Sequence, residues 1–174
     1  SFTLGSNTVS PLAMAEGYAM FAARGVHCNS IAVLQVRDRN DELIVDRTPT
    51  CNRVLEEGIA DGVNDVLVGV IHNSGATGTR MKLSDGRVAA GKTGTTNNSI
   101  AVWFAGYTPQ LATAVAVADL DGEQTSLDGR TYNGERISSA CGGCIPGPIW
   151  KQAMDGALDG ARKAAFTKPN PKIV

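Results

Sequence analysis

Apolar positions recur at helical spacing in three stretches of this chain, with strand-like runs between them. Met14, Tyr18, Phe21 and Ala22 follow Ser10-Pro11, an N-cap hydroxyl before a proline at the first helical position, and the run closes at Gly25. That pattern predicts a first helix of about four turns. Ile31 to Val36 and Leu43 to Asp46 are β-branched and aliphatic, and the polar run Asp38-Arg39-Asn40-Asp41 between them reads as a hairpin turn. A turn centred on Arg39-Asn40 sets Leu34 against Val45 and Val36 against Leu43. The same register carried outward sets Cys28 opposite Cys51 at the mouth of the hairpin. A Cys28–Cys51 disulfide is therefore expected, stabilising by roughly 3 kcal/mol in the loop-entropy account.

After Pro49, Ile59, Val63, Val66, Leu67 and Val70 repeat every three to four positions and predict a second helix that fades at Asn73-Ser74-Gly75. Strand patterns follow: one ending in Lys92-Thr93-Gly94, one from Ile100 to Tyr107 and one from Leu111 to Ala118, joined by short turns that suit antiparallel hairpins. Val102 and Phe104 point to one side and Ala101, Trp103 and Ala105 to the other, so both faces of this sheet need a cover. Pro148 opens a last helix with Trp150, Ala153, Met154, Ala157, Leu158 and Ala161 as its apolar stripe. The expected fold class is α/β, an antiparallel sheet with helices on both faces, over residues 1–166. Residues 167–174, with Lys168-Pro169-Asn170-Pro171-Lys172, read as an extended linker or tail.

Composition narrows the function. The 174 residues fit one domain or part of one; 43% hydrophobic and 19% charged content with a net charge of -1 argues against disorder and against a basic nucleic-acid surface. The longest apolar stretch, Leu111 to Ala118, is far shorter than the roughly 18 residues of a membrane span. The chain opens on Ser1, and Ser1 to Ser10 lacks the basic start and apolar run of a signal peptide, so it reads as a piece of something longer.

Two chemistries compete for Gly91-Lys92-Thr93-Gly94-Thr95. Gly86 to Thr93 satisfies the phosphate-loop string G-x-x-x-x-G-K-[ST], with Val115 to Asp119 as a candidate magnesium strand. A phosphate loop needs a buried strand before it and a helix starting at its lysine. Here Arg80 to Asp85 is polar, and Thr93 is followed by glycine, threonines, asparagines and another strand. The alternative places Lys92-Thr93-Gly94 on a strand, where Gly94 lets a ligand approach the backbone and a lysine and hydroxyls meet an anion.

On that second reading the chain resembles the penicillin-binding proteins of the class A, bifunctional type. The residues that carry the resemblance are Gly91-Lys92-Thr93-Gly94-Thr95-Thr96-Asn97, then Trp103-Phe104-Ala105-Gly106-Tyr107-Thr108-Pro109, then Pro148-Ile149-Trp150-Lys151. Ser10-Pro11-Leu12 with its helix, and the hairpin after it, are similar to the segment that follows the S-x-N element in that family. The resemblance implies the fold of penicillin-binding transpeptidases and serine β-lactamases, here as a partial domain. It implies a D,D-transpeptidase that crosslinks peptidoglycan stem peptides through a serine acyl-enzyme and binds β-lactams on the extracytoplasmic face of the cell membrane. It implies catalytic roles for Lys92, in polarising the site and moving a proton, and for the Thr95 N–H, as an oxyanion donor. Thr93, Gly94 and Thr95 become the substrate-binding residues.

None of the ten serines fits S-x-x-K or S-x-N. The nucleophile, its lysine and the S-x-N element are therefore expected on a missing N-terminal part of the same domain, with any membrane contact through an anchor there, and this chain alone is expected to be inactive. A β-lactamase or D,D-carboxypeptidase fragment, or a non-catalytic cell-wall binding module, are the rival readings. Cys141-Gly142-Gly143-Cys144 is read as a local structural disulfide, because Ile145-Pro146-Gly147-Pro148 delays the helix that a redox pair would open. Two bridges would agree with an oxidising compartment. His27 and His72 each lack a second histidine at metal spacing, and Asp119-Leu120-Asp121-Gly122-Glu123 lacks the full ligand order of a calcium loop. No metal and no cofactor are expected.

Overall fold

The computed structural model describes residues 7–119 and 125–171. At its centre lie three antiparallel strands in the order β5 (Ala90–Thr95), β6 (Ala101–Tyr107) and β7 (Ala112–Ala118). In register, Lys92 stands opposite Ala105 and Gly94 opposite Trp103, while Phe104 faces Val115 across the other pair. Helices α1 (Pro11–Ala22) and α2 (Glu57–His72) cover one face and α3 (Pro146–Ala157) the other. The sheet is thus sandwiched as the double-sided apolar pattern required.

Helix α1 is explained by its ends. The Ser10 hydroxyl accepts the Ala13 N–H at 3.1 Å and Pro11 occupies the first turn of α1. Arg24 (φ 53°) and Gly25 (φ 88°) turn left-handed and stop the helix, and a Cβ at Gly25 would run into the Leu55 carbonyl. On α2 the buried positions are Ala60, Asp61, Asn64 and Ile71. Two of them are polar because partners meet them: Arg24 clamps Asp61 through Nε at 3.0 Å and Nη2 at 2.8 Å. Asn64 donates to the Phe21 carbonyl at 3.0 Å and accepts the Tyr107 hydroxyl at 2.6 Å.

Beneath the opposite face, Trp150 and Met154 of α3 close a core with Ile71, Met81, Leu83, Ala89 and Phe104. The Trp150 indole donates to the Gly106 carbonyl at 3.1 Å. A Cβ at Gly106 would lie 2.8 Å from both the Phe104 and Trp150 rings, so only glycine lets the indole lie this close to the strand. A smaller cluster of Val102, Leu127 and Ala140 fills the other end of that face.

Five expectations are corrected. The stretch Ile31 to Val36 is a strand only over its end, β2 (Gln35–Arg37), which pairs with β3 (Leu43–Asp46). Val36 pairs with Val45 and Arg37 with Leu43, in place of Leu34 with Val45 and Val36 with Leu43. The cause is Asp38, whose carboxylate accepts the N–H groups of Asn40 and Glu42, and Asp41 (φ 67°), which adds a left-handed residue to the turn and a bulge to the strand. Cys28 and Cys51 do stand opposite each other, but on a separate strand pair, β1 (Val26–Cys28) with β4 (Cys51–Arg53). The last helix starts at Pro146, two residues before Pro148, and ends at Ala157, since Gly160 turns left-handed at φ 68°. Finally, β5 extends one residue past Gly94, to Thr95.

A short hairpin, β8 (Thr131–Tyr132) with β9 (Glu135–Arg136), lies beyond β7. The segment Asp119 to Glu123 falls largely outside the described residues, as do the last three residues of the tail.

Candidate active-site strand

All four site residues expected from the sequence lie on β5. The Thr96 N–H donates to the Ala101 carbonyl at 3.0 Å, which sets the phase of the β5–β6 ladder. Antiparallel bonds alternate, so Gly94 and Lys92 exchange bonds with Trp103 and Ala105, while the N–H groups of Thr93 and Thr95 point away from β6. Among the described residues no other strand pairs with β5. The Thr95 N–H therefore faces an open sheet edge.

The side chains divide between the faces. Lys92 and Gly94 share the face of α1 and α2, and Thr93 and Thr95 that of α3. The exposed Lys92 reaches across the edge, and its Nζ donates to the Thr93 carbonyl at 2.8 Å. It forms no ion pair with any described carboxylate. The Thr93 and Thr77 hydroxyls lie 3.3 Å apart, and Thr95 Oγ1 accepts the Gly142 N–H at 3.2 Å. A cation, two hydroxyls and an outward amide along one edge suit an extended peptide with a carboxylate, held by main-chain bonds and by charge.

Lys92 sits in mid-strand, and after Thr95 the chain turns at Asn97–Ser99 directly into β6. The phosphate-loop reading thus lacks the helix N-terminus it requires. Among the described residues no group of three or more His, Cys, Asp or Glu is placed to hold a metal ion, and no helix is long and apolar enough to cross a membrane.

Sequence reasoning missed two contributors. Thr77 stands in a glycine-rich loop with no motif of its own. Gly142 had a signal, the paired glycines inside C-x-x-C. A Cβ there would strike the Trp103 carbonyl and sit 2.8 Å from Gly94 N and O, so the turn lies flat on the β5–β6 ladder. The cysteines on either side are bonded to each other, as are Cys28 and Cys51.

The antiparallel sheet with helices on both faces defines a fold class, and comparison with known proteins gives the family. The model of the penicillin binding protein transpeptidase domain matches residues 1–139, and the chain belongs to that family. Penicillin-binding protein 1A of Mycobacterium tuberculosis is 33% identical over 172 residues, an alignment covering 95% of this chain and 20% of that protein. Penicillin-binding protein 1A of Haemophilus influenzae superposes with a TM-score of 0.77 at 23% identity, over 98% of this chain and 29% of that one. An imipenem acyl-enzyme of penicillin-binding protein A from M. tuberculosis gives 0.68 at 23% identity, over 88% and 32%. These two superpositions establish the fold alone. The chain spans about a fifth of the length of the curated relatives it matches.

Proposed function

We propose that this chain supplies the substrate-binding edge strand of a serine D,D-transpeptidase that crosslinks peptidoglycan stem peptides. The observation that carries this is the open edge of β5, with Lys92, the Thr93 and Thr95 hydroxyls and the outward Thr95 N–H together on one strand. The serine nucleophile, its lysine and the S-x-N element come from a segment outside these residues, since no S-x-x-K or S-x-N occurs here. In the assembled domain that serine attacks the peptide carbonyl, the peptide C–N bond breaks, and the C-terminal residue of the stem peptide leaves as a free amine carrying the proton given up by the serine hydroxyl. The Thr95 N–H stabilises the oxyanion, and the amine of a second stem peptide takes the acyl group. The Thr93 and Thr95 hydroxyls hold the substrate carboxylate, Gly94 allows its close approach, and Lys92 raises the local potential and assists proton transfer. A β-lactam acylates the same serine. The domain works on the extracytoplasmic side of the membrane, where both disulfides persist, and this chain alone is inactive.

The test is incubation of the native protein with a fluorescent penicillin, followed by a denaturing gel and intact mass of every polypeptide present. Stable label on a polypeptide that carries S-x-x-K, lost or slowed about a hundredfold in Lys92→Ala, is the expected result. Label on a serine of these 174 residues would overturn the division of labour. Rapid release of the label would point to a β-lactamase, and absence of label from the native protein to a binding module.

A further inference from the structure

The turn closed by Cys141 and Cys144 lies against the substrate strand, and no role in the reaction has been given to it. Gly142 is buried on the ladder between Thr93 and Thr95 and donates its N–H to Thr95 Oγ1 at 3.2 Å. A Cβ at Gly143 would lie 3.7 Å from Thr93 Cγ2 and 3.0 Å from the Thr77 carbonyl oxygen, so the second glycine sits against the methyl of the strand's other threonine. The turn is narrow: Cys144 N–H donates to Cys141 O at 2.9 Å and Gly147 N–H to Gly142 O at 3.0 Å. Cys144 is exposed and Cys141 half-buried, so a thiol can reach the bridge.

We infer that the disulfide-closed Cys141–Cys144 turn is a positioning element for Thr95, and that opening it with a dithiol slows acylation. This rests on the transpeptidase reading of β5. A threonine hydroxyl has one hydrogen and two acceptor sites. By accepting the Gly142 N–H, Thr95 Oγ1 keeps its own hydrogen for an incoming carboxylate, and its rotamer is fixed. The bridge removes most alternative conformations of a four-residue loop, so Gly142 is held over Gly94 before substrate arrives.

The redox step balances. A thiolate of the dithiol attacks Cys144 Sγ and forms a mixed disulfide, expelling the Cys141 thiolate, which takes a proton. The second thiol then displaces Cys144 in the same way. Two electrons and two protons pass to the cysteines and the dithiol becomes a disulfide. The helix that follows stays anchored through Trp150 and Gly106, so the change is confined to the turn.

The experiment uses the full-length protein with Cys28→Ser and Cys51→Ser, leaving one bridge, and dithiothreitol as the dithiol. The acylation rate by a fluorescent penicillin is measured oxidised, reduced and reoxidised, with the thermal midpoint in each state, and again with Thr95→Val added. The expected result is a reversible fall of about five- to tenfold on reduction, with little change in midpoint, that disappears in the Thr95→Val protein. Equal rates in both redox states would overturn the inference and leave the transpeptidase reading intact. A fall that persists in Thr95→Val would show that the bridge acts by general stability, which also overturns it. Failure of the oxidised protein to label removes the parent reading and this inference together. Cys141→Ala/Cys144→Ala, expected to match the reduced rate, gives the same answer without reductant.

Discussion

Asn64 is fully buried where α1, α2 and β6 meet, and its amide and carbonyl are both used. Asn64→Ala leaves the Tyr107 hydroxyl without its partner and takes one of two donors from the Phe21 carbonyl, which keeps the Arg24 N–H at 3.0 Å, and is expected to lower stability by about 1 to 3 kcal/mol in denaturant titration. Tyr107→Phe removes one bond of the pair and should cost less, with the two effects non-additive. Burial first, and then the neighbouring Tyr18, push the Tyr107 phenol well above its ordinary range, which keeps it protonated as the donor. His72, the last residue of α2, is held below its ordinary value of 6.5 by burial and by the charge of Lys82, and its Nε2 accepts the Ala89 N–H at 3.4 Å. A depressed imidazole pKa means that the unfolded chain binds the proton first as pH falls. Stability is therefore full above about 6.5 and declines from there towards the folded-state value. Thermal melts across that window should show the slope in the native protein and a flatter one in His72→Gln. That Lys92, Thr93, Gly94 and Thr95 share one strand was legible because they are contiguous. Asn64 was not, because its partners lie 43 residues away and nothing local marks it, and the paired glycines that mark Gly142 do not reveal a partner 47 residues away.

At the scale of elements, alternation and capping signals carried most of the prediction. The strands from Ala101 to Tyr107 and Ala112 to Ala118, the Ser10-Pro11 helix start and the stop at Gly25 all follow local rules. The hairpin shows where local rules fail. The turn length depends on which N–H groups the Asp38 carboxylate collects, and one extra left-handed residue shifts every pair above it. The pairing of Cys28 with Cys51 survives because β1 and β4 are a strand pair of their own, tied to α1 through the Gly25 carbonyl, which accepts from Val54 and Leu55. That bridge spans 23 positions. Replacing both cysteines with serine should cost about 3 kcal/mol in the denatured-state entropy account, read as a shift of the denaturation midpoint with an unchanged activity per folded molecule.

Over the whole molecule, the layer order follows from the sheet being apolar on both faces, and that much was legible. Less so was how α2 is used. Its buried side is Ala60, Asp61, Asn64 and Ile71, while Ile59 and Val66, part of the stripe that marked it as a helix, are exposed. Leu12, Leu34 and Ile44 are exposed as well. Periodicity reports that a helix has an apolar side, and a polar pair such as Arg24 with Asp61 can outcompete it for the interior.

Among the described residues strand β5 is laddered on one side only, and this has a signature in time. In deuterated buffer the amides of Lys92 and Gly94, tied to β6, should exchange slowly, and those of Thr93 and Thr95 much faster, so that protection alternates residue by residue along a single strand. Residue-resolved exchange on the full-length protein tests this directly, and uniform protection would mean that another strand already lies on the edge. Once a peptide or an acylating drug lies there, the fast amides alone should slow, and the strand becomes a clock for its own occupancy.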